Sequence, residues 1–168
     1  MSGACVSVQL ACIGLVTIEA VEDEILGVRL HGGPRPRAFL LGSALPDTAA
    51  VRDLVERLRA YDRGDDPQFQ AVALPQESRA FAGLVRDALR ATDLGETLSY
   101  GALAARAGHP NAARAVGSVL AKNRWPLVVP CHRVVRASGA SGAFTGGDGA
   151  ATKQALLAHE RKDSVRAP

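Results

Sequence analysis

Apolar and β-branched residues early in the chain predict a small antiparallel sheet. Residues 6–20 predict one strand, interrupted near Gly14, and residues 25–30 predict a second. The acidic residues 22–24 separate these two strands, and a loop rich in glycine and proline follows at residues 31–36. We therefore expect the chain to begin with strands that pair through tight turns.

Apolar residues then recur at the spacing of a helix face. The predicted buried face consists of Val51, Leu54, Val55 and Leu58. Asp47 precedes them as a candidate N-cap, and residues 70–74 predict another short strand. Together these elements predict a small N-terminal α+β domain over residues 1–76, in which no pattern indicates chemistry.

Residues 77–168 predict a second, mainly helical domain. An apolar stripe over residues 81–89 predicts its first helix, and residues 152–161 predict its last, with Glu160 near the end. The glycine-rich residues 138–149 lack the order of a phosphate-binding loop, so we interpret them as a flexible wall around a pocket.

Two short helices are predicted in the middle of this domain. Ser99 or Thr97 begins the first, over residues 100–107. Asn111 caps the second, over residues 112–120, which consists almost entirely of small side chains around one arginine. A helix, a glycine-containing turn and a second helix outline a helix-turn-helix unit, although an ordinary helical hairpin has the same pattern.

The strongest chemical signal is the motif PCHRVV at residues 130–135. The apolar run at residues 126–129 predicts a short buried strand that ends at this motif. A thiol is reactive as its thiolate, and a neighbouring imidazole can generate the thiolate, so Cys131 and His132 are a candidate nucleophile and base. A buried inert cysteine beside a surface histidine is the alternative that this pair alone leaves open.

Positive charge is concentrated in the second half of the chain. The net charge is +3, but residues 99–168 have ten Lys and Arg against three Asp and Glu, which gives +7. Residues 1–98 have a net charge of −4. The Cys-His motif thus lies in the half that would attract a polyanion such as nucleic acid, unless the arginines form an ordinary solvated surface.

Composition argues for a cytoplasmic protein that does not bind membranes. The three cysteines are odd in number and irregularly spaced, which suggests neither a disulfide framework nor a metal site of the CxxC kind. No apolar run reaches the roughly 20 residues of a membrane span. Residues 8–20 are apolar, but no basic residue precedes them and Glu19 interrupts them, unlike a signal peptide. A reducing compartment would keep Cys131 as a thiol.

Four segments follow one another in an order that is characteristic of one family. They are GETLSYGALA (95–104), NAARAVGSVLAKN (111–123), PLVVPCHRVV (126–135) and TKQALLAHE (152–160). Over roughly half of the chain, the sequence resembles the O6-alkylguanine-DNA alkyltransferase family, also called methylated-DNA–protein-cysteine methyltransferases. The resemblance implies an α+β fold, with a small ribonuclease H-like N-terminal domain and a mainly helical C-terminal domain that contains a helix-turn-helix.

The resemblance also implies a reaction and the roles of five residues. Cys131 would accept the alkyl group, His132 would act as general base through a water molecule, and Glu160 would orient the imidazole. Asn123 would organise the turn that holds the active site, and Tyr100 would donate a hydrogen bond to the departing guanine. The alkyl group would come from O6 of guanine, or from O4 of thymine. Because a thioether is not hydrolysed, each molecule would act once, without cofactor or metal.

The implied partner is double-stranded DNA, bound by a monomer through the minor groove. Arg114 would enter the base stack and fill the space of the target nucleotide, which must be flipped out because O6 is unreachable inside a duplex. The other residues expected to contact DNA are Ala113, Ala115, Gly117, Ser118, Tyr100 and Arg133. The small residues among them would let the helix lie close against the duplex.

The expected lining of the substrate pocket departs in part from the family pattern. It consists of Trp125, Val134, Phe144 and Thr145. Arg124 and Trp125 stand where many members have a proline and a small apolar residue, and Phe144 occupies a position often held by tyrosine. The loop before Lys153 is also longer than in the commonest form. These changes would alter the width of the pocket and the range of alkyl groups accepted.

Three alternatives to this interpretation deserve weighing. A non-catalytic, alkyltransferase-like protein would bind lesions and flag them for repair, but such proteins replace the acceptor cysteine, and Cys131 is present. A Cys-His hydrolase would need an oxyanion site and repeated turnover. A structural zinc site would require Cys5 and Cys12 together with His31 or His109.

Overall fold

The computed structural model describes residues 4–32, 48–75 and 80–164. Its first three strands form an antiparallel sheet in chain order: β1 (Ala4–Leu10), β2 (Gly14–Val21) and β3 (Glu24–Leu30). The interruption predicted near Gly14 is a full turn between β1 and β2, and Gly14 has a φ of 86°, which favours glycine. The sheet therefore has one strand more than the pattern predicted.

Helix α1 (Ala49–Arg63) follows the sheet and has the predicted apolar face. Its buried residues are Val51, Leu54, Leu58 and Tyr61. The N-cap is Thr48, whose Oγ1 accepts a hydrogen bond from the backbone N–H of Val51, at 3.4 Å. The predicted cap Asp47 lies outside the described residues, as do residues 33–36 of the predicted loop.

The strand predicted at residues 70–74 is wrong. Phe69–Ala71 form a 3-10 turn instead, and the residues after it pair with no strand. In a strand, these backbone carbonyls would accept hydrogen bonds from a neighbouring strand. Here they accept hydrogen bonds from a side chain. The Arg90 guanidinium donates to the carbonyls of Phe69, Gln70 and Val72, at 3.1, 3.0 and 2.6 Å.

The remaining residues are mainly helical. The helices are α2 (Phe81–Arg90), α3 (Tyr100–Arg106), α4 (Ala113–Ala121) and α5 (Ala150–Ser164), and two short parallel strands pair between them, β4 (Leu98–Ser99) and β5 (Val134–Val135). Ser99, one of the two predicted starting residues, caps α3: its Oγ accepts a hydrogen bond from the backbone N–H of Ala102, at 3.0 Å. None of the helices in the described part of the chain is long and apolar enough to cross a bilayer.

Two local predictions in this region are corrected. Asn111 does not cap α4: it has a φ of 79° and belongs to the turn, and the N-cap is Ala112. Residues 126–129 are a buried turn rather than a strand, with Leu127 at a φ of 73°. An apolar run that is buried on all sides has the same sequence pattern in either conformation, so periodicity could not separate them.

Strand β3 joins the two predicted domains. The backbone N–H of Val28 donates to the carbonyl of Arg124 at 2.8 Å, and the Trp125 indole N–H donates to the carbonyl of Ile25 at 3.0 Å. One buried cluster contains apolar residues from β1 through α5. The boundary predicted between residues 76 and 77 lies outside the described residues.

Candidate active site

Asn123 organises the turn that presents the thiol. Its Nδ2 donates to the carbonyl of Val129 at 2.9 Å and to Cys131 Sγ at 3.1 Å. Its Oδ1 accepts from the backbone N–H of Trp125 at 3.0 Å. A side-chain amide has a donor and an acceptor on one planar group, so a single residue closes the turn at both ends.

Cys131 opens a 3-10 turn, Cys131–Arg133, and its side chain is buried, with 9% of the residue exposed. Burial raises the pKa of the thiol, because the thiolate loses its hydration. The hydrogen bond from Asn123 and the positive charge of Lys153 act in the opposite direction. The resting thiol is therefore protonated, and a base must remove its proton before it can act as a nucleophile.

His132 is oriented by Glu160. The two side chains are each 1% exposed, and His132 Nε2 lies 2.7 Å from Glu160 Oε1. A carboxylate only accepts, so Nε2 has the hydrogen and Nδ1 has a lone pair. Nδ1 is buried and has no hydrogen-bond partner among the described residues. Burial lowers the pKa of His132 despite the opposing effect of Glu160, so the imidazole is neutral at neutral pH and can accept a proton at Nδ1.

Glu160 is held as a carboxylate by several donors. They are His132 Nε2, the hydroxyl of Tyr61, two nitrogens of Arg133 and the backbone N–H of Gly95, at 2.7 to 3.2 Å. Burial alone would raise the pKa of Glu160, but the hydrogen bonds from His132 and Arg133 and the positive charge of Arg133 outweigh it and hold this pKa well below its usual range.

The structure corrects the expectation that Arg133 contacts DNA. Its residue is 5% exposed, and its guanidinium donates to both oxygens of Glu160 and to the carbonyl and hydroxyl of Thr92. With its donors used inside the protein, Arg133 holds the anion that orients His132. The resemblance to the family implied a contact with DNA, and only the tertiary fold shows where this side chain points.

Lys153 is a site residue that sequence reasoning missed. It is 0% exposed, its Nζ donates to the carbonyl of Val134 at 2.6 Å, and burial lowers its pKa. Its positive charge also lowers the pKa of Cys131. A signal was available, because Lys153, Leu156, Leu157 and Glu160 follow the spacing of one helix face. A lysine on an otherwise buried face indicates a buried partner.

Replacing Lys153 by methionine is expected to raise the pKa of the Cys131 thiol further, because a neighbouring positive charge that favours the thiolate is lost. The rate of Cys131 alkylation by iodoacetamide should rise with pH along a curve displaced to higher pH, and be several-fold slower at neutral pH. The matched control is Lys122→Met, which removes an exposed lysine at the end of α4. Identical curves for both variants would contradict the electrostatic role of Lys153.

Two clefts meet at Cys131. One, of about 400 Å³, is lined by Tyr100, Ala113 and Gly117 of α3 and α4 together with the segment after β5. The other, of about 490 Å³, is lined by β3, the turn after Asn123 and the glycine-rich segment. Phe144 and Thr145, which were expected in the pocket, line both clefts.

Trp125 and Val134 lie outside both clefts. Trp125 is 2% exposed and lies against β3, with the guanidinium carbons of Arg86 and Arg124 at 5.5 and 5.8 Å from its ring centre. Val134 is fully buried in β5, and its carbonyl accepts from Lys153. Both residues support the walls of the site instead of lining it.

Helix α4 presents an exposed side next to the smaller cleft. Arg114, Ala115 and Ser118 are exposed, whereas Ala113 and Gly117 are half-buried and face the cleft. A Cβ on Gly117 would lie 3.9 Å from the Tyr100 ring, which is an ordinary contact distance, so the ring packs directly against the helix at this position. The structure thus brings a cation and a flat surface of small side chains beside the entrance to Cys131.

In residues 4–32, 48–75 and 80–164, no group of three or more His, Cys, Asp or Glu side chains is arranged to bind a metal ion. Cys5 is exposed and Cys12 is half-buried. His31, one of the histidines considered for zinc, is hydrogen-bonded to Thr17 at 2.9 Å.

The family model described as "6-O-methylguanine DNA methyltransferase, DNA binding domain" matches residues 80–162. These residues contain α3, α4, the thiol, and the histidine and glutamate behind it. The match and the site together define the class: a protein with the DNA-binding domain of this family and a buried cysteine next to a His–Glu pair.

Relatives with known names extend the match toward the N-terminus. The methylated-DNA–protein-cysteine methyltransferase of Mycolicibacterium paratuberculosis is 46% identical over 116 residues, which are 68% of each chain. The crystal structure of Mycobacterium tuberculosis OGT in complex with DNA is 31% identical, with a TM-score of 0.75 over 95% of this chain and 93% of that one. The mouse methylated-DNA–protein-cysteine methyltransferase is 56% identical over 72 residues, but these are 43% of this chain and 34% of that protein. The chain belongs to the methylated-DNA–protein-cysteine methyltransferase family.

Proposed function

We propose that this protein repairs DNA by direct reversal: it transfers an alkyl group, typically methyl, from O6 of guanine in duplex DNA to Cys131. The observation that supports this most directly is the position of the Cys131 thiol, where two clefts meet and where Asn123 and the His132–Glu160 pair converge. The cleft beside Tyr100 would receive the flipped base, and the cleft beside β3 would receive the alkyl group. The same chemistry would accept O4-alkylthymine.

The reaction requires one proton transfer and one displacement. His132 Nδ1 would take the thiol proton through a bridging water molecule. The Cys131 sulfur would then attack the alkyl carbon and form a C–S bond. The C–O6 bond would break at the same time, and the electron pair of that bond would leave with guanine. The Tyr100 hydroxyl, in the same cleft, would donate a hydrogen bond to the departing base and stabilise its negative charge. The product is a thioether, so each molecule would act once.

DNA binding would use α3 and α4 as a helix-turn-helix unit placed in the minor groove. Extruding a nucleotide costs a few kcal/mol, and a side chain that fills its place offsets part of that cost. Arg114 is exposed on α4 beside the cleft that contains Cys131, which suits it to this role. One chain supplies every residue of the proposed site, so we expect the protein to act as a monomer.

The decisive experiment mixes the full-length protein with a duplex that contains one O6-methylguanine and measures the intact protein mass. A gain of one CH2 group per molecule, mapped to the peptide of Cys131, would support methyl transfer, and the same duplex with unmodified guanine serves as control. Tight binding to the lesion with no mass gain would overturn the proposal in favour of a non-catalytic lesion-binding protein. Release of free methanol with turnover would favour a hydrolase.

Replacing Arg114 by alanine is expected to slow methyl transfer at least about 10-fold. The arginine side chain would fill the space of the flipped base, and without it the free-energy cost of extruding the nucleotide is no longer partly offset. The matched control is Lys122→Ala, which removes the same charge from the exposed end of α4. Single-turnover rates at saturating duplex separate the two effects. Equal rates for the two variants would show that Arg114 acts only through its charge.

A further inference from the structure

We propose that Tyr61, on α1, is a positioning residue that acts on His132 through Glu160. This inference rests on the proposed function, because it assigns a residue to the same relay. It also gives the N-terminal part of the chain, in which the sequence indicated no chemistry, a direct connection to the reacting thiol.

The geometry that supports this is a shared oxygen atom. The Tyr61 hydroxyl donates to Glu160 Oε1 at 3.2 Å, and the same oxygen accepts from His132 Nε2 at 2.7 Å. Tyr61 is 1% exposed, so water does not compete for this bond. The hydroxyl and the imidazole therefore share one carboxylate oxygen, which also accepts from Arg133 Nη2 at 3.1 Å.

Tyr61 is held firmly against α5. Its backbone carbonyl accepts from His159 Nε2 at 2.6 Å, and its ring centre lies 5.0 Å from the ring centre of His159. The next residue, Asp62, accepts from the backbone N–H groups of Ala11 and Cys12, both at 2.9 Å. The turn between β1 and β2 therefore fixes the end of α1 that directs the hydroxyl onto Glu160.

The hydroxyl affects His132 in two ways. It fixes the position of Oε1, and it withdraws negative charge from the oxygen that polarises the imidazole. The charged and titratable groups that face His132 are Glu160 and Lys153 of α5, its neighbours Cys131 and Arg133, and Tyr61 through Glu160. Without the hydroxyl, Glu160 stays ionised because Arg133 still binds both of its oxygens. More of the carboxylate charge then acts on the Nε2–H of His132, while the position of the carboxylate becomes less well defined.

The test replaces Tyr61 by phenylalanine in the full-length protein, with histidine labelled with ¹⁵N. The Nε2–H proton resonance of His132 should move downfield in the DNA-free variant, because its hydrogen bond to Glu160 gains strength. The single-turnover rate of methyl transfer should fall, because a less well positioned Glu160 no longer fixes the orientation of the imidazole. The expected fall is about 3- to 10-fold, the size expected for one buried hydrogen bond.

The matched control is Phe69→Leu. The Phe69 ring packs against Tyr61, with ring centres 5.8 Å apart, but it has no hydroxyl to donate. This variant should lower the melting temperature at least as much as Tyr61→Phe, yet leave the His132 resonance and the transfer rate unchanged. If Tyr61 had a purely structural role, the two variants would instead have the same His132 resonance and the same transfer rate.

The outcomes separate this inference from the proposed function. If the wild-type protein binds the lesion but transfers no methyl group, the proposed function is refuted. The His132 resonance is measured without DNA, so the effect of Tyr61 on His132 is tested separately. A wild-type protein that transfers methyl groups, with a Tyr61→Phe variant of equal rate, would overturn the positioning role whatever the resonance does. A downfield resonance together with a slower transfer, both absent from Phe69→Leu, would support it.

Discussion

Replacing Cys131 by serine is expected to abolish methyl transfer and to leave folding and DNA binding close to those of the wild type. A serine hydroxyl has a far higher pKa than a thiol and is a much weaker nucleophile toward an alkyl carbon than a thiolate, so it should not displace guanine. Serine differs little in size, and Asn123 Nδ2 can donate to its oxygen as it does to Sγ. Intact mass after incubation with an O6-methylguanine duplex, together with a binding titration, checks both parts.

The other two cysteines of the chain provide matched controls. Cys5→Ser and Cys12→Ser remove an exposed and a half-buried thiol of the N-terminal sheet region, away from both clefts, and should retain full transfer. A mass gain in Cys131→Ser would show that a different residue accepts the group. Loss of transfer in either control would mean that the effect of Cys131→Ser does not report on the nucleophile alone.

Replacing Glu160 by leucine is expected to lower the free energy of unfolding by about 3–5 kcal/mol, because it leaves the buried cation of Arg133 without its anion. The N–H of Gly95 and the hydroxyl of Tyr61 would lose their acceptor as well. Urea unfolding measures the change. Gln154→Ala, on the exposed side of the same helix, is the control and should change stability little.

The pH dependence of stability tests the charge of Glu160 separately. Its pKa in the folded protein is held well below its ordinary value of about 4.3, so its contribution is complete above the ordinary value and is lost as the pH falls toward the folded value. The wild-type free energy of unfolding should therefore decrease as the pH falls below about 5. Glu160→Gln should show a shallower decrease, since that carboxyl is gone. Parallel curves would contradict a charged Glu160 in the folded protein.

Local patterns predicted much of the fold. The apolar face of α1, the Ser99 cap of α3 and the inward face of α5 follow from spacing and capping rules, which act over a few neighbouring residues. The errors arose where the local signal is degenerate. Residues 126–129 are equally apolar in a buried strand and in a buried turn, and Asn111 suits a cap as well as a left-handed turn.

Arg133 and Lys153 show the limit of prediction at the site. The resemblance implied a DNA contact for Arg133 and no role for Lys153. Nothing in the local sequence opposed this, because a charged residue is usually solvated. In the fold, each is buried beside its partner: Arg133 beside Glu160, and Lys153 beside the carbonyl of Val134. The spacing of Lys153 along α5 could have indicated its burial, but no local pattern indicated that of Arg133.

The amino-acid sequence was sufficient to predict the family, because four motifs follow one another in a characteristic order and the nearby helices have strong local signals. Only the tertiary structure decided how the candidate site is supported. Glu160 lies 28 residues from His132 along the chain, and Tyr61 lies 99 residues from Glu160. The side chains of His132 and Tyr61 nevertheless bind the same oxygen of the Glu160 carboxylate. Hydrogen bonds between such distant residues depend on how α1 and α5 pack, and packing is a property of the whole core that no short stretch of sequence encodes.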